Sequence, residues 1–144
     1  MNHDDEPMFT EADLIHAYTR ADALADGVLI DLPQAQTMGF ILPMAITAAA
    51  HEACIAWPQP GPRQQHIVSL RAEGVLLATS MAGRTHRRRA RAGAESTTDH
   101  LVFHVNTVAW REGRTARVTV PLRLVIGPGD HLELVGTLML LGED

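Results

Sequence analysis

Apolar residues alternate and cluster most densely between Leu101 and Leu141, where three runs are separated by short polar links. The runs are Leu101 to Trp110, Thr115 to Ile126 and Leu132 to Leu141. Valine, isoleucine, threonine and aromatic residues dominate the first two, the composition favoured by a pleated, half-buried surface. The links, Arg111-Glu-Gly-Arg114 and Gly127-Pro-Gly-Asp-His131, supply turn chemistry and positive φ through glycine. Links this short join antiparallel neighbours, so the pattern predicts a meander of three strands or more. The run from Leu134 to Leu141 has almost no polar face, which places it centrally in a sheet or under a cover. That predicts a homodimer formed through this strand or the helix packed on it.

The first hundred residues read as helices. Residues 1–9 form an acidic leader. Thr10, then Glu11 and Asp13, suits a helix start, with Leu14, Ile15 and Tyr18 on one face. Thr19 is a second cap candidate for Arg20 to Ala25, stopped by Asp26-Gly27. Val28 to Ile30 is a short apolar segment, and a further short helix is expected from Gln34 to Met38, closed by Gly39. Pro43 at a first turn and the alanines after it predict a helix through Ile55, with Ile46, Ala50, Ala53, Cys54 and Trp57 as its buried stripe. Successive prolines in 58–66 make a linker. Ile67 to Met81 fits a helical period weakened by Gly74, and 84–99 reads as an arginine-rich polar loop. The whole is expected to be one α+β domain over 1–144, its N-terminal helices packed on a C-terminal antiparallel sheet.

Charge changes that picture more than composition does. Residues 1–83 carry three arginines against ten acids, residues 84–123 nine arginines against three acids, and residues 124–144 four acids and no base, giving −7, +6 and −4, which sum to −5. All twelve cationic side chains are arginine. A coding bias explains the missing lysine, yet the planar arginine fork is suited to carboxylate and phosphate. One cysteine excludes an internal disulfide framework and suits a reducing cytoplasm, that of a bacterial host cell. The acidic N-terminus has the wrong sign for a secretory leader, and no apolar stretch reaches the roughly 20 residues of a membrane span.

Chemical motifs are scarce. His51-Glu52 lacks the second histidine of a zinc helix, and Cys54, three residues on, completes only two ligands. His100 and His104 are about 13 Å apart along a regular strand. No metal or other cofactor is therefore expected. Ser80 lacks the first glycine of a nucleophile elbow, and Cys54 among alanines reads as a small core residue. No phosphate-cradling glycine loop is present, and no catalytic residue stands out. The run Arg84, Arg87, Arg88, Arg89, Arg91 is the candidate partner-binding site. It lacks the aromatic neighbours of a nucleic-acid reader, which favours partner contact or a solvated surface over RNA or DNA.

Tyr18 to Leu32, including Tyr18, Thr19, Arg20, Asp26, Gly27 and Asp31, resembles the N-terminal signature of a bacterial family catalogued only as a domain of unknown function. Leu122 to Asp130 and Met139 to Asp144 are similar to its closing strands, and Pro43 to Trp57 to its following helix. The resemblance implies a setting on phages, plasmids and other mobile elements, and no catalytic residues. The expected function is a small, non-enzymatic binding protein that inhibits a bacterial defence system of the CRISPR or restriction type, its partner a host protein or ribonucleoprotein. Two alternatives are a nucleic-acid-binding accessory protein acting through the arginine run, and an NAD-using enzyme. For the second, His16, Tyr18, Thr19 and Gly27 resemble the opening of mono-ADP-ribosyltransferases, with Glu133 serving alone as the acid.

Overall fold

A computed structural model describes residues 18–93 and 100–143. Among these are four helices and five strands: α1 (Arg20–Ala25), β1 (Leu29–Asp31), α2 (Gln34–Thr37), β2 (Met44–Thr47), α3 (Ala48–Cys54), α4 (Gln64–Arg91), β3 (His100–Arg111), β4 (Arg114–Pro128) and β5 (Leu134–Leu140). They build one sheet in the order β1-β2-β5-β4-β3. The expected helix from Thr10 and the acidic leader lie outside the described residues.

The three apolar runs form the antiparallel meander β3-β4-β5. Its first turn pairs Arg111 with Arg114 and places Glu112 (φ 52°) and Gly113 (φ 81°) in the left-handed region. That geometry matches the right-handed twist of the strands it joins. The sheet is nonetheless mixed and larger than a meander. β2 runs parallel to β5, pairing Ile46 with Leu138, and antiparallel to β1, pairing Ile46 with Ile30. Thus β5 is central, which accounts for its lack of a polar face.

Two other expectations are corrected. Met44 to Thr47 is a strand, not the start of a helix. Its backbone bonds on both sides, to β1 and β5, outweigh the helical preference of its neighbours. The helix begins only after Thr47, which is extended (ψ 154°) and accepts the Ala50 N–H at 3.2 Å on its hydroxyl. Likewise, Gln64 to Arg91 is one helix of 28 residues. It starts inside the stretch expected as linker, crosses Gly74 and Gly83, and absorbs the arginine run expected as loop. Burial of Ala72, Val75, Leu76 and Thr79 on the sheet outweighs the glycine cost of about 1 kcal/mol each.

The core is a row of aliphatic side chains crossing all five strands: Ile30, Ile46, Leu138, Leu124 and Leu101. A second row, Phe103, Leu122 and Leu140, lies beside it. Helices α3 and α4 pack over these rows, α3 against all five strands and α4 chiefly against β3. No described helix is long and apolar enough to cross a membrane.

Gly136 sits where Met44 of the neighbouring parallel strand packs; a Cβ there would collide with the Met44 sulfur and press on Leu124. Gly136→Ala should therefore destabilise the fold by about 1–3 kcal/mol, read as a lower urea midpoint with an unchanged slope.

Candidate functional site

The last two turns of α4 hold Arg84, Arg87, Arg88, Arg89 and Arg91, all exposed. Past Thr79 no described residue of the helix is fully buried, and Ala82 is the last packed against the core. Arg88, Arg89 and Arg91 fall in the final turn, where positive charge favours the helix dipole. None of the five makes a hydrogen bond or ion pair among the described residues. They do not offset the described acids of the chain through direct contacts.

Arg84 and Arg87 also line a cleft of about 800 Å³ between α4, residues 38–42 and the near end of the sheet. Its walls are largely apolar, with Phe40, Leu101 and Leu124 from the core side and Ile126 and Leu134 nearer the mouth. Ile41, at the rim, is 97% exposed. His86 and His100 reach the same cleft. Of the five arginines predicted from sequence, the structure thus brings two to an apolar hollow; Arg88, Arg89 and Arg91 do not line it. Exposed aliphatics here stand beside cations that have no partner among the described residues, a combination able to receive a group with both an apolar part and negative charge.

The signature residues near the N-terminus do something else. Thr19 caps α1 by accepting the Asp22 N–H at 3.0 Å, while Asp22 accepts the Thr19 N–H at 3.2 Å, a reciprocal capping box. Asp26 accepts from the Tyr18 hydroxyl at 2.9 Å, and Gly27 (φ 76°) ends the turn. The Arg20 guanidinium donates to the Thr137 hydroxyl at 2.7 Å and to the Gly136 carbonyl at 3.0 Å, with Asp31, Asp130 and Glu133 around it. Asp130 accepts the backbone N–H groups of Arg20 and Ala21 at 2.8 and 2.9 Å. The two ends of the chain that carry the family resemblance are therefore hydrogen-bonded to each other. Of the groups an NAD-binding reading would use, the Tyr18 hydroxyl, the Thr19 hydroxyl and the Glu133 carboxylate all have partners here; Glu133 accepts from the His131 N–H at 2.9 Å.

Arg71, which sequence reasoning passed over, joins three elements. It donates to the Ile55 carbonyl at 2.9 Å and the Val108 carbonyl at 2.7 Å, and lies 5.2 Å from the Trp57 ring centroid. Trp57 meets Trp110 edge-on at 6.0 Å. Only the arginine between two tryptophan-bearing segments hinted at this, and nothing in the spacing singled it out. Cys54 is fully buried, and burial pushes its thiol up to about 11, so it is a poor nucleophile at neutral pH. Burial lowers the His51 pKa. Among the described residues no group of three or more histidine, cysteine, aspartate or glutamate side chains could hold a metal ion.

A family model described as a family of unknown function, DUF6573, matches residues 5–144, and the chain belongs to that family. No curated protein and no solved structure matches it.

The Asp130 contact should show in the pH dependence of stability. The backbone N–H groups of Ala21 and Arg20 hold its carboxyl below the ordinary 3.8. A lowered folded value stabilises the fold above that pH, and the contribution is lost as pH falls through the folded value. Asp130→Asn should lower the melting temperature by a few degrees at pH 7, and the gap from wild type should close as pH falls from the ordinary carboxylate range through the lowered folded value.

Proposed function

We propose that this DUF6573 protein is a non-enzymatic binding protein whose arginine-tipped helix docks on an anionic surface of a bacterial host protein or ribonucleoprotein. The observation that carries the reading is that five exposed arginines at the end of α4 have no described partner, while two of them border an apolar cleft. These arginines take up none of the interactions that the acids among the described residues could have supplied. Arginine next to a desolvated apolar hollow is a frequent anchor of protein interfaces. Aliphatic rather than aromatic walls favour a protein side chain over a stacked base.

The setting we propose is inhibition of a bacterial defence system, CRISPR or restriction, by an accessory protein of a mobile element. The resemblance of Tyr18 to Leu32 and Leu122 to Asp130 supports that setting. The acidic N-terminal half adds a surface of opposite sign that suits a phosphate-binding groove.

Replacing Arg84, Arg87, Arg88, Arg89 and Arg91 by glutamate tests the reading. Surface charges alter folding by about half a kcal/mol each at most, so circular dichroism and melting should stay near wild type. The wild-type protein, expressed in a host carrying a restriction or CRISPR system, should raise phage plating efficiency at least tenfold, and the five-glutamate variant should not. Equal protection by both would discard the arginine tip as the working surface. Label transfer from NAD to host proteins would replace the binding reading with a transferase.

A further inference from the structure

Helix α4 carries an apolar stripe on the side turned away from the sheet. Leu70, Leu77 and Met81 are 53%, 55% and 60% exposed, and Gly74 lies between the first two. At 100° per residue the four positions fall within about 60° of arc, spaced as the seam of a helix pair. Glycine in the middle of a helix is unfavourable, and a Cβ at Gly74 would meet nothing within 4 Å. Packing within the described chain therefore does not require it. Beside it a groove of about 330 Å³ opens between α4 and the free edge of β3, lined by Ile67, Leu70, Gly74, Ala78, Asn106 and Thr107.

We propose that a second copy of this chain occupies this face, the two α4 helices packing antiparallel about a two-fold axis level with the midpoint of residues 75 and 76. In that register Leu70 faces Met81 of the second copy, and Gly74 faces its Leu77, whose side chain fills the gap. The contact is isologous, so both happen twice. A second copy fits better than another partner because the gap and the knob that fills it lie on one surface. The overlap runs over residues 64–87, and with three half-exposed apolar side chains from each copy it buries roughly 1,000 Å² in total, the lower bound of a specific interface. Sliding by seven residues would instead bring Glu73 opposite Thr85 of the second copy, next to its Arg84. Exposed ion pairs contribute little, and that register sets Leu70 against Arg88, so the apolar register is preferred.

The arrangement leaves both arginine tips at opposite ends of the pair. Residue 88 of one copy lies level with residue 63 of the other, so the two Arg88 positions are 25 residues, about 37 Å, apart along the axis. Arg63 and Arg88 of opposite copies then repel. Association should strengthen with salt, whereas arginine-tip binding to an anionic partner should weaken. The inference does not rest on the proposed function, and either can fail alone.

Light scattering on the full chain at about 100 µM should give twice the 15.7 kDa chain mass. Leu77→Glu should give the single mass with an unchanged circular dichroism spectrum. Gly74→Ala, which favours the isolated helix, should keep or raise the melting temperature of the monomer yet weaken association at least tenfold. For distance, Arg88→Cys can be nitroxide-labelled in the folded protein, since Cys54 is buried with its thiol pushed up to about 11. Pulsed electron resonance should show a separation near 37 Å; about 27 Å would indicate the seven-residue slide and overturn the proposed pairing. A monomeric wild type, or a dimer indifferent to Leu77→Glu and Gly74→Ala, would overturn it outright.

Discussion

The row Ile30, Ile46, Leu138, Leu124 and Leu101 is the constraint from which the rest of the structure follows. Ile46 and Leu138 are completely buried at its centre. A strand's side chains alternate faces, so a shift of one residue in any pairing would throw a member of this row to the other side of the sheet. The row therefore fixes the registers of four strand pairs together, including the parallel pair β2–β5. Gly136 belongs to the same solution. Its missing side chain leaves room for Met44, so β2 can lie against β5 with Ile46 beside Leu138.

The packing of α4 on the core explains the position of the basic tip. The buried positions of α4 end at Thr79, yet nothing in Ser80 to Arg91 stops a helix: proline is absent, alanine and arginine are good formers, and Gly83 costs about 1 kcal/mol. The helix continues as local preference dictates, with Ala82 its last residue packed against the core. The arginines are thereby held on a rigid rod beside the cleft, and less ordering is required when a partner docks than a loop would demand.

Local signals were legible in the sequence and non-local ones were not. Thr19 as cap, Asp26-Gly27 as stop, the short helix before Gly39 and the three C-terminal strands all follow from neighbours a few residues apart. The strand β2 was hidden because Met44-Ala-Ile-Thr47 runs straight into a helix of alanines; only its pairing with Leu29 to Asp31 and Gly136 to Leu138 makes it extended. The arginine run was legible as charge and illegible as shape, since its polarity reads as loop until Ala72 to Thr79 is seen anchoring the same helix. Of the cleft, Arg84 and Arg87 could be found from sequence. Residues 38–42 and Leu134, far apart in the chain, could not.

Exclusive use of arginine conceals two different jobs, and the structure separates them by what each guanidinium touches. Arg20 bridges a hydroxyl and a carbonyl of β5, Arg71 spans two carbonyls and a tryptophan face, and Arg123 reaches Met139 and the Glu143 carbonyl across two strands. Arg20 and Arg71 each use two nitrogens of the planar fork at once, which the compact ammonium of lysine would not match, while both Arg123 contacts come from one terminal nitrogen. Burial lowers the pKa of Arg20 and Arg71, although guanidinium stays charged throughout the physiological range. These arginines are needed for the fold. The five on the end of α4 use none of their donors in the described chain, and five unused, fixed forks on one helix end are hard to account for by folding alone. That contrast within one residue type, more than the local density of charge, supports the binding role proposed for the tip.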